Sequence, residues 1–243
     1  MIPLIENKNK DGKSKMTQYF RRIRHIGHMD FELTFWQMLH LCIDPQKVYQ
    51  ATKFHRQTKN QWARDDPGFL LVQILFILIS SIGFGICFRI DSFFAFLKLI
   101  FKSIFISFLL LGLSVSLIGW IISNKYLKKT GLHIAEQFVE FQYSFDIHCN
   151  SYFPFFIITN IIVYLLLPII LSTSRISIIF GNFLYIFAYS VYFYITFLGY
   201  KVLPFIQKSY VFLFPLIPLW LLFLICSIFK ISLLNFFLSF HLN

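Results

Sequence analysis

An all-α integral membrane protein is the fold class this sequence predicts, and three observations predict it. The chain of 243 residues is 57% hydrophobic and only 14% charged, far from the soluble norm of roughly half apolar and a quarter charged. Its mean hydropathy is +0.68. Five stretches, residues 69–88, 103–123, 153–171, 176–198 and 210–229, contain no Asp, Glu, Lys, Arg or His. Each is long enough to cross a hydrocarbon layer of about 30 Å, which needs roughly 20 helical residues. The expected organisation is a basic disordered tail over 1–28, a cytosolic amphipathic helical juxtamembrane region over 29–66, and a membrane domain of about five transmembrane helices over 67–243.

Residues 1–24 are polar and carry Lys8, Lys10, Lys13, Lys15, Arg21, Arg22 and Arg24, the pattern of a disordered basic segment. Such charge could contact nucleic-acid phosphates, but no folded recognition motif accompanies it. The tail lacks the apolar core of a cleavable signal peptide, so the first span is expected to serve as its own insertion signal. From Asp30 to Ile43, Phe31, Phe35, Met38, Leu39 and Cys42 recur at helical spacing, which gives one apolar face able to lie on a membrane or pack on a partner. That helix stops at Asp44-Pro45. Beyond it Lys47, Lys53, Arg56, Lys59 and Arg64 sit close to the bilayer, where each charge is drawn to anionic lipid by about 1 kcal/mol.

The first span opens at Asp66-Pro67, with Asp66 placed to cap exposed N–H groups and Pro67 suited to the first turn. The second ends at Trp120 and Ser123-Asn124-Lys125-Tyr126, an aromatic and basic interface anchor; Phe93 to Lys102 reads either as interfacial helix or as part of this span. Only Ser172-Thr173-Ser174-Arg175 separates the third and fourth spans, which forces an antiparallel hairpin. Pro215 and Pro218 are expected to kink the fifth. Lys and Arg number 12 over residues 1–66, three at Lys125, Lys128 and Lys129, and two at Lys201 and Lys208, against five of the 22 on the other side. The positive-inside rule then places the N-terminus in the cytosol and the C-terminus in the lumen.

The search for chemistry is mostly negative. Cys42, Cys87, Cys149 and Cys226 lie far apart with no C-x-x-C, so neither a zinc site nor a disulfide framework is indicated. No N-x-S/T sequon occurs. His25-Ile26-Gly27-His28 spells a synthetase signature, yet no βα nucleotide-binding unit follows it. Gly12-Lys13-Ser14 resembles the end of a P-loop, but the motif needs glycine where Asn7 stands. In the loop from His133 to Asn150, the residues His133, Glu136, Glu140, Asp146, His148 and Cys149 are of types that hold metals; the spacing is not clean, and a solvated loop helix with an interfacial Asp146 and His148 is the preferred reading. No carboxylate side chain follows Asp146, so the spans have no groups for a proton relay or carboxylate hydrolysis. The 33 Phe read as lipid-facing bulk. Gln73, Ser80, Ser81, Ser107, Ser114, Ser116, Thr159, Asn160 and Asn182, with Gly83, Gly85, Gly112, Gly119, Gly181 and Gly199, are what close helix packing uses. No catalytic residue, cofactor or metal is expected.

Several strings are similar to a known family. They are Met29-Asp30-Phe31-Glu32, Trp36-Gln37-Met38-Leu39, Pro45-Gln46-Lys47-Val48-Tyr49 and, above all, Gln57-Thr58-Lys59-Asn60-Gln61-Trp62-Ala63-Arg64-Asp65-Asp66-Pro67. Further on come Ile82-Gly83-Phe84-Gly85, Trp120-Ile121-Ile122-Ser123-Asn124-Lys125-Tyr126-Leu127, Phe145-Asp146-Ile147-His148-Cys149-Asn150, Gly181-Asn182, Thr196-Phe197-Leu198-Gly199-Tyr200 and Leu203-Pro204-Phe205. In this order and spacing they resemble the uncoordinated-50 family of Golgi multi-pass membrane proteins. The likeness runs from residue 29 to about 220, leaving out residues 1–28 and the tail after Lys230. The resemblance implies residence in Golgi membranes, with the endoplasmic reticulum or inner nuclear membrane as further locations. It also implies a non-enzymatic role in vesicle-mediated protein transport and receptor delivery, with Arf guanine-nucleotide exchange factors and client receptors as partners. Phe31, Trp36, Trp62, Arg64, Asp65 and Asp66 are the candidate partner-binding residues, since Trp and Arg dominate interface hot spots. A small transporter of neutral or lipid-like substrates is the alternative.

Overall fold

The computed structural model describes residues 29–59, 61–129, 137–172 and 174–242; the basic tail with its His25 and His28, and His133 and Glu136 of the loop, lie outside them. Nine helical elements follow one another among the described residues: α1 (Phe31–Ile43), α2 (Pro45–Lys59), α3 (Gly68–Cys87), α4 (Phe93–Tyr126), α5 (Phe141–Leu165), α6 (Leu167–Ile170), α7 (Arg175–Lys201), α8 (Ser209–Ile228) and α9 (Leu233–Leu242). Five of them, α3, α4, α5, α7 and α8, are long and apolar enough to cross a membrane. The described residues form no strand, only one antiparallel bridge between Lys128 and Ile206 that ties the connection after α4 to the one after α7. In the centre stands α5, whose most apolar stretch is 61% buried inside the protein, while the same measure for α8 is 11%.

The spans expected at 69–88, 176–198 and 210–229 match α3, α7 and α8 closely. The other two differ for physical reasons. Phe93 to Lys102 is the first third of α4, continuous with the rest and wound as a π-helix over Lys102–Leu110. At 34 residues, α4 is about 51 Å long, more than the hydrocarbon layer of about 30 Å requires, so Lys98 and Lys102 fall in the surplus near its start. The third span starts at Phe141 rather than at residue 153. Asp146, His148, Cys149 and Asn150 are all buried within it, so the solvated loop helix expected for this stretch is a bundle interior. Polar groups are tolerated there because each faces protein instead of lipid. At the fifth span a 3₁₀ turn over Ser209–Leu213 precedes Pro215, and the α-helix runs from Leu216; the prolines shape its beginning, where missing N–H groups cost nothing.

The N-terminal helices form a hairpin that is built into the bundle. Asp30 caps α1, its carboxylate accepting from the Leu33 N–H at 2.9 Å. Thr34, Met38 and Leu41 are the buried side of α1, whereas Phe31, Phe35, Leu39 and Cys42 of the expected apolar face are exposed. Met38, Leu41, Val48 and Tyr49 share one core with Phe69 and Val72 of α3, Phe153 of α5 and Ile195 of α7.

At the chain's far end, Ile231 turns α9 back onto α7. The Asn182 amide donates to the Ile231 carbonyl at 2.9 Å, and its oxygen accepts from the Leu233 N–H at 2.9 Å. Leu234 is buried against Tyr185 and Val163. One side chain thus satisfies both backbone groups at this corner. Replacing Asn182 by Ala is expected to cost α9 about 1–3 kcal/mol of local stability, since both partners would be orphaned in a low-dielectric setting. Hydrogen exchange on the lipid-embedded protein should show protection falling over residues 231–242 and unchanged over α3.

Candidate functional site

The end of the bundle that carries α1 and α2 is where the polar chemistry collects. The segment from Gln61 to Pro67 has no regular structure, so its backbone groups need partners from elsewhere. A polar stripe on α5 provides them. Gln142, Asp146 and Asn150 stand four residues apart and therefore on one helix face. The Arg64 N–H donates to Asp146 Oδ2 at 2.7 Å, the Gln142 amide donates to the Arg64 carbonyl at 2.8 Å, and Arg64 Nη2 donates to Asn150 Oδ1. The guanidinium also lies 4.0 Å from the centroid of the Phe69 ring, a cation–π contact. Arg64 is thus held by backbone, side chain and ring at once.

Its neighbours extend the clamp. Asp66 Oδ1 accepts from the Gly68 N–H at 3.0 Å and Oδ2 accepts from the Asp30 N–H at 2.7 Å, so one carboxylate starts α3 and anchors the beginning of α1. Gly68 lets α1 come close, since a Cβ there would lie 3.2 Å from Thr34 Oγ1. Asp65 accepts from the Gln61 amide. Trp62 packs its ring on Tyr143 and Phe205 at centroid distances of 6.1 and 6.5 Å, with the Arg56 guanidinium 5.7 Å from its own ring centre. Beside them Tyr143 donates its hydroxyl to the Gly199 carbonyl at 2.7 Å. A Cβ at Gly199 would come 2.7 Å from Ile147 Cγ1 and 2.9 Å from Tyr49 Oη, so this glycine lets α2, α5 and α7 meet. Burial pushes the Tyr49 hydroxyl above the ordinary tyrosine range, against an opposing influence from Asn150 and Arg64.

Of the six residues singled out by sequence, Trp62 is buried, Arg64, Asp65 and Asp66 are half-buried, and Phe31 and Trp36 are exposed on α1. Trp36 stacks on His40 with centroids 4.3 Å apart. The first four are brought together inside the protein and the last two outside it. The partners that sequence reasoning missed are Gln142, Asp146 and Asn150. Their signal was the recurrence of polar residues at every fourth position in a stretch otherwise bound for the membrane.

On the opposite side of α5, at the same height, a second group of polar side chains lies between the helices. His148 Nδ1 is 2.9 Å from the Tyr192 hydroxyl, and its ring stacks against Phe108 of the π-helical segment at 5.6 Å. Ser151 and Thr196 bond at 2.9 Å. Gly112 admits the His148 ring, which would collide with any Cβ there. Adjoining these is a crevice of about 140 Å³ bounded by α4, α5, α7 and α8, with Ser116, Gly119, Ser144, His148, Thr196 and Tyr200 among its walls. No group of three or more His, Cys, Asp or Glu placed to hold a metal occurs among the described residues; Glu140, Asp146, His148 and Cys149 do not converge.

The clamp makes a stability prediction. Arg64→Ala is expected to remove a charge-assisted hydrogen bond and a cation–π contact, together about 2–4 kcal/mol. Asn150→Ala should remove part of the same energy, and the double variant should be less destabilised than the sum, with a coupling of about 1 kcal/mol or more. Thermal melting of the detergent-solubilised protein measures all three.

Comparison with known proteins gives a consistent result. The model of the UNC-50 family matches residues 19–242, so the likeness reaches past Lys230 through α9 and into the basic tail, beyond the limits read from the strings above. The unc-50 homolog of Dictyostelium discoideum is 45% identical over 230 residues, covering 93% of this chain and 88% of that protein. That of Bos taurus is 41% identical over 212 residues, covering 86% and 80%. Protein unc-50 of Caenorhabditis elegans is 38% identical over 204 residues, covering 84% and 66%. No solved structure matches.

Proposed function

This chain belongs to the UNC-50 family, and from that premise we propose that it is a non-enzymatic trafficking factor of Golgi membranes that recruits Arf guanine-nucleotide exchange factors and supports delivery of client receptors. The observation that carries this reading is the fixed N-terminal hairpin. Through the Arg64 and Asp66 clamp, α1 and α2 are held at one end of a membrane bundle, and Phe31 and Trp36 remain exposed. Exposed aromatics on a helix that is itself anchored cost little side-chain entropy on binding, which suits them to dock a soluble partner.

That end faces the cytosol in this proposal. With the 12 Lys and Arg of residues 1–66 it carries Lys125 and Lys201 at the ends of α4 and α7 and Lys128, Lys129 and Lys208 just beyond them, while the opposite side has Arg89, Lys98, Lys102, Arg175 and Lys230, the asymmetry that sets orientation. Trp62, Arg64, Asp65 and Asp66 act on the partner through the hairpin: they set its position, and Phe31 with Trp36 makes contact.

Two variants separate these roles. Phe31→Ala with Trp36→Ala should reduce exchange-factor labelling by a proximity-labelling tag on the N-terminus at least about tenfold, as two interface aromatics of roughly 1–2 kcal/mol each imply, and leave the melting temperature unchanged. Arg64→Ala should reduce labelling and melting temperature together. Unchanged labelling in the first variant, or a tag reached only after the lumenal side is opened, would remove the basis of the proposal.

A further inference from the structure

We propose that the crevice between α4, α5, α7 and α8 is a binding site for an uncharged membrane amphiphile whose polar end is a hydroxyl, of the sterol or diacylglycerol kind. Four observations converge on it. The cavity of about 140 Å³ is the size of engineered apolar cavities that hold one benzene, so it fits a polar end with a single ring or a few methylenes and not a whole lipid. It is open on one side, between α4 and α8. There Val115 and Ile118 are exposed and Val211 and Pro215 are half-buried, so the rest of the occupant would emerge into the hydrocarbon. α8 is the least embedded of the five spans, which keeps that mouth wide.

Polar chemistry at the floor sets the class of ligand. The Ser144 hydroxyl is buried, its residue 2% exposed, and shares the floor with the Tyr200 hydroxyl, to which it is hydrogen-bonded, while the His148 ring is turned onto Gly112 and the Phe108 backbone of α4. A serine hydroxyl and a phenol bonded to each other each keep acceptor capacity to spare, which a ligand hydroxyl can use. A ligand hydroxyl both donates and accepts, so it can join the Ser144 and Tyr200 hydroxyls at the floor. No Lys, Arg, Asp or Glu lines the crevice, so a phosphate or ammonium headgroup would be left without a counter-charge in a low dielectric.

Depth agrees with chemistry. Gly119 lies seven residues before the end of α4, Ser144 and His148 three and seven residues after the start of α5, and Tyr200 one residue before the end of α7. At 1.5 Å per residue these positions are within about 10 Å of the helix ends, toward one face of the bundle, as the polar end of a sterol or a diacylglycerol lies toward one face of a bilayer. The occupant can therefore slide in laterally from the bilayer without taking its polar end deeper than it already lies.

The test uses the full chain in lipid nanodiscs, a diazirine-bearing sterol as probe and a diazirine-bearing phosphatidylcholine as the charged-headgroup comparison. Sterol adducts should concentrate on Val115, Ile118 and Phe212 and be displaced by unlabelled sterol or by unlabelled diacylglycerol, whichever is the natural occupant. Val115→Trp, which plugs the mouth from an exposed position, should lower this labelling about tenfold. Ser144→Ala should lower it roughly three- to tenfold, the loss of one neutral hydrogen bond. The same change should leave the ligand-free protein folded, its melting temperature lowered only slightly by the loss of one neutral hydrogen bond to Tyr200. Adducts spread evenly over the lipid-facing helices, equal labelling by the phosphatidylcholine probe, displacement by neither competitor, or labelling indifferent to Val115→Trp and Ser144→Ala would each overturn the proposal.

Discussion

A chain entering a bilayer must bring partners for every polar group it carries there, and in this molecule the decisive case is the capture of Arg64 by the stripe of Gln142, Asp146 and Asn150 on α5. The stripe satisfies both backbone groups and the guanidinium of a single residue. Much follows from that contact. It sets the height at which α5 crosses, because Asp146 and Asn150 are buried among protein only while Arg64 stands over them. It sets where α3 begins, two residues on, at an Asp66 that also anchors α1. Through Tyr143 and Gly199 it reaches α7, so four of the elements at this end are positioned by one short unstructured segment.

The sequence made much of the membrane architecture readable because hydrocarbon imposes a simple demand. Spans α3, α7 and α8 are surrounded by lipid over much of their surface and must be apolar nearly all round, and hydropathy locates them to within a few residues. α5 is surrounded by protein. Its first three turns spend their polar residues on Arg64, Tyr192 and Thr196, which lowers hydropathy and hid them from a criterion built on contact with lipid. For α4 the failure had a different cause. Lys98 and Lys102 interrupt the apolar run without interrupting the helix, since a long amphipathic side chain can keep its charge outside.

Site residues were less readable, and Trp62 and Arg64 explain why. Trp and Arg next to a membrane are equally suited to grip a partner and to staple the protein's own chain, since both uses draw on the same large contact area and fixed donor geometry. Residue type does not distinguish them; the presence of complementary groups elsewhere in the chain does. Asp146 and Asn150, more than 80 residues away, are that complement, and only their periodicity within a nominal loop hinted at it. Among the described residues Phe31 has no such complement and Trp36 only its neighbour His40 on the same helix, and both remain outside while the others turn inward. The buried side of α1 was likewise set by its surroundings: Thr34, Met38 and Leu41 meet α3 and α5, and the larger Phe31 and Phe35 do not.

The two polar sites also constrain each other. On α5, with 3.6 residues per turn, Gln142, Asp146 and Asn150 point to one side, while Ser144, His148 and Ser151 point to roughly the opposite one. A helix engaged on both sides cannot rotate to relieve either. If the hairpin drew Arg64 away, Asp146 and Asn150 would be left buried without their partner, and the cheapest remedy would be for α5 to turn or rise toward water. Either motion would carry Ser144 and His148 out of register with Tyr192 and with the π-helical segment against which His148 stacks. The geometry of the crevice is therefore conditional on the hairpin's being in place, and any displacement of α1 and α2 would reach the crevice through α5.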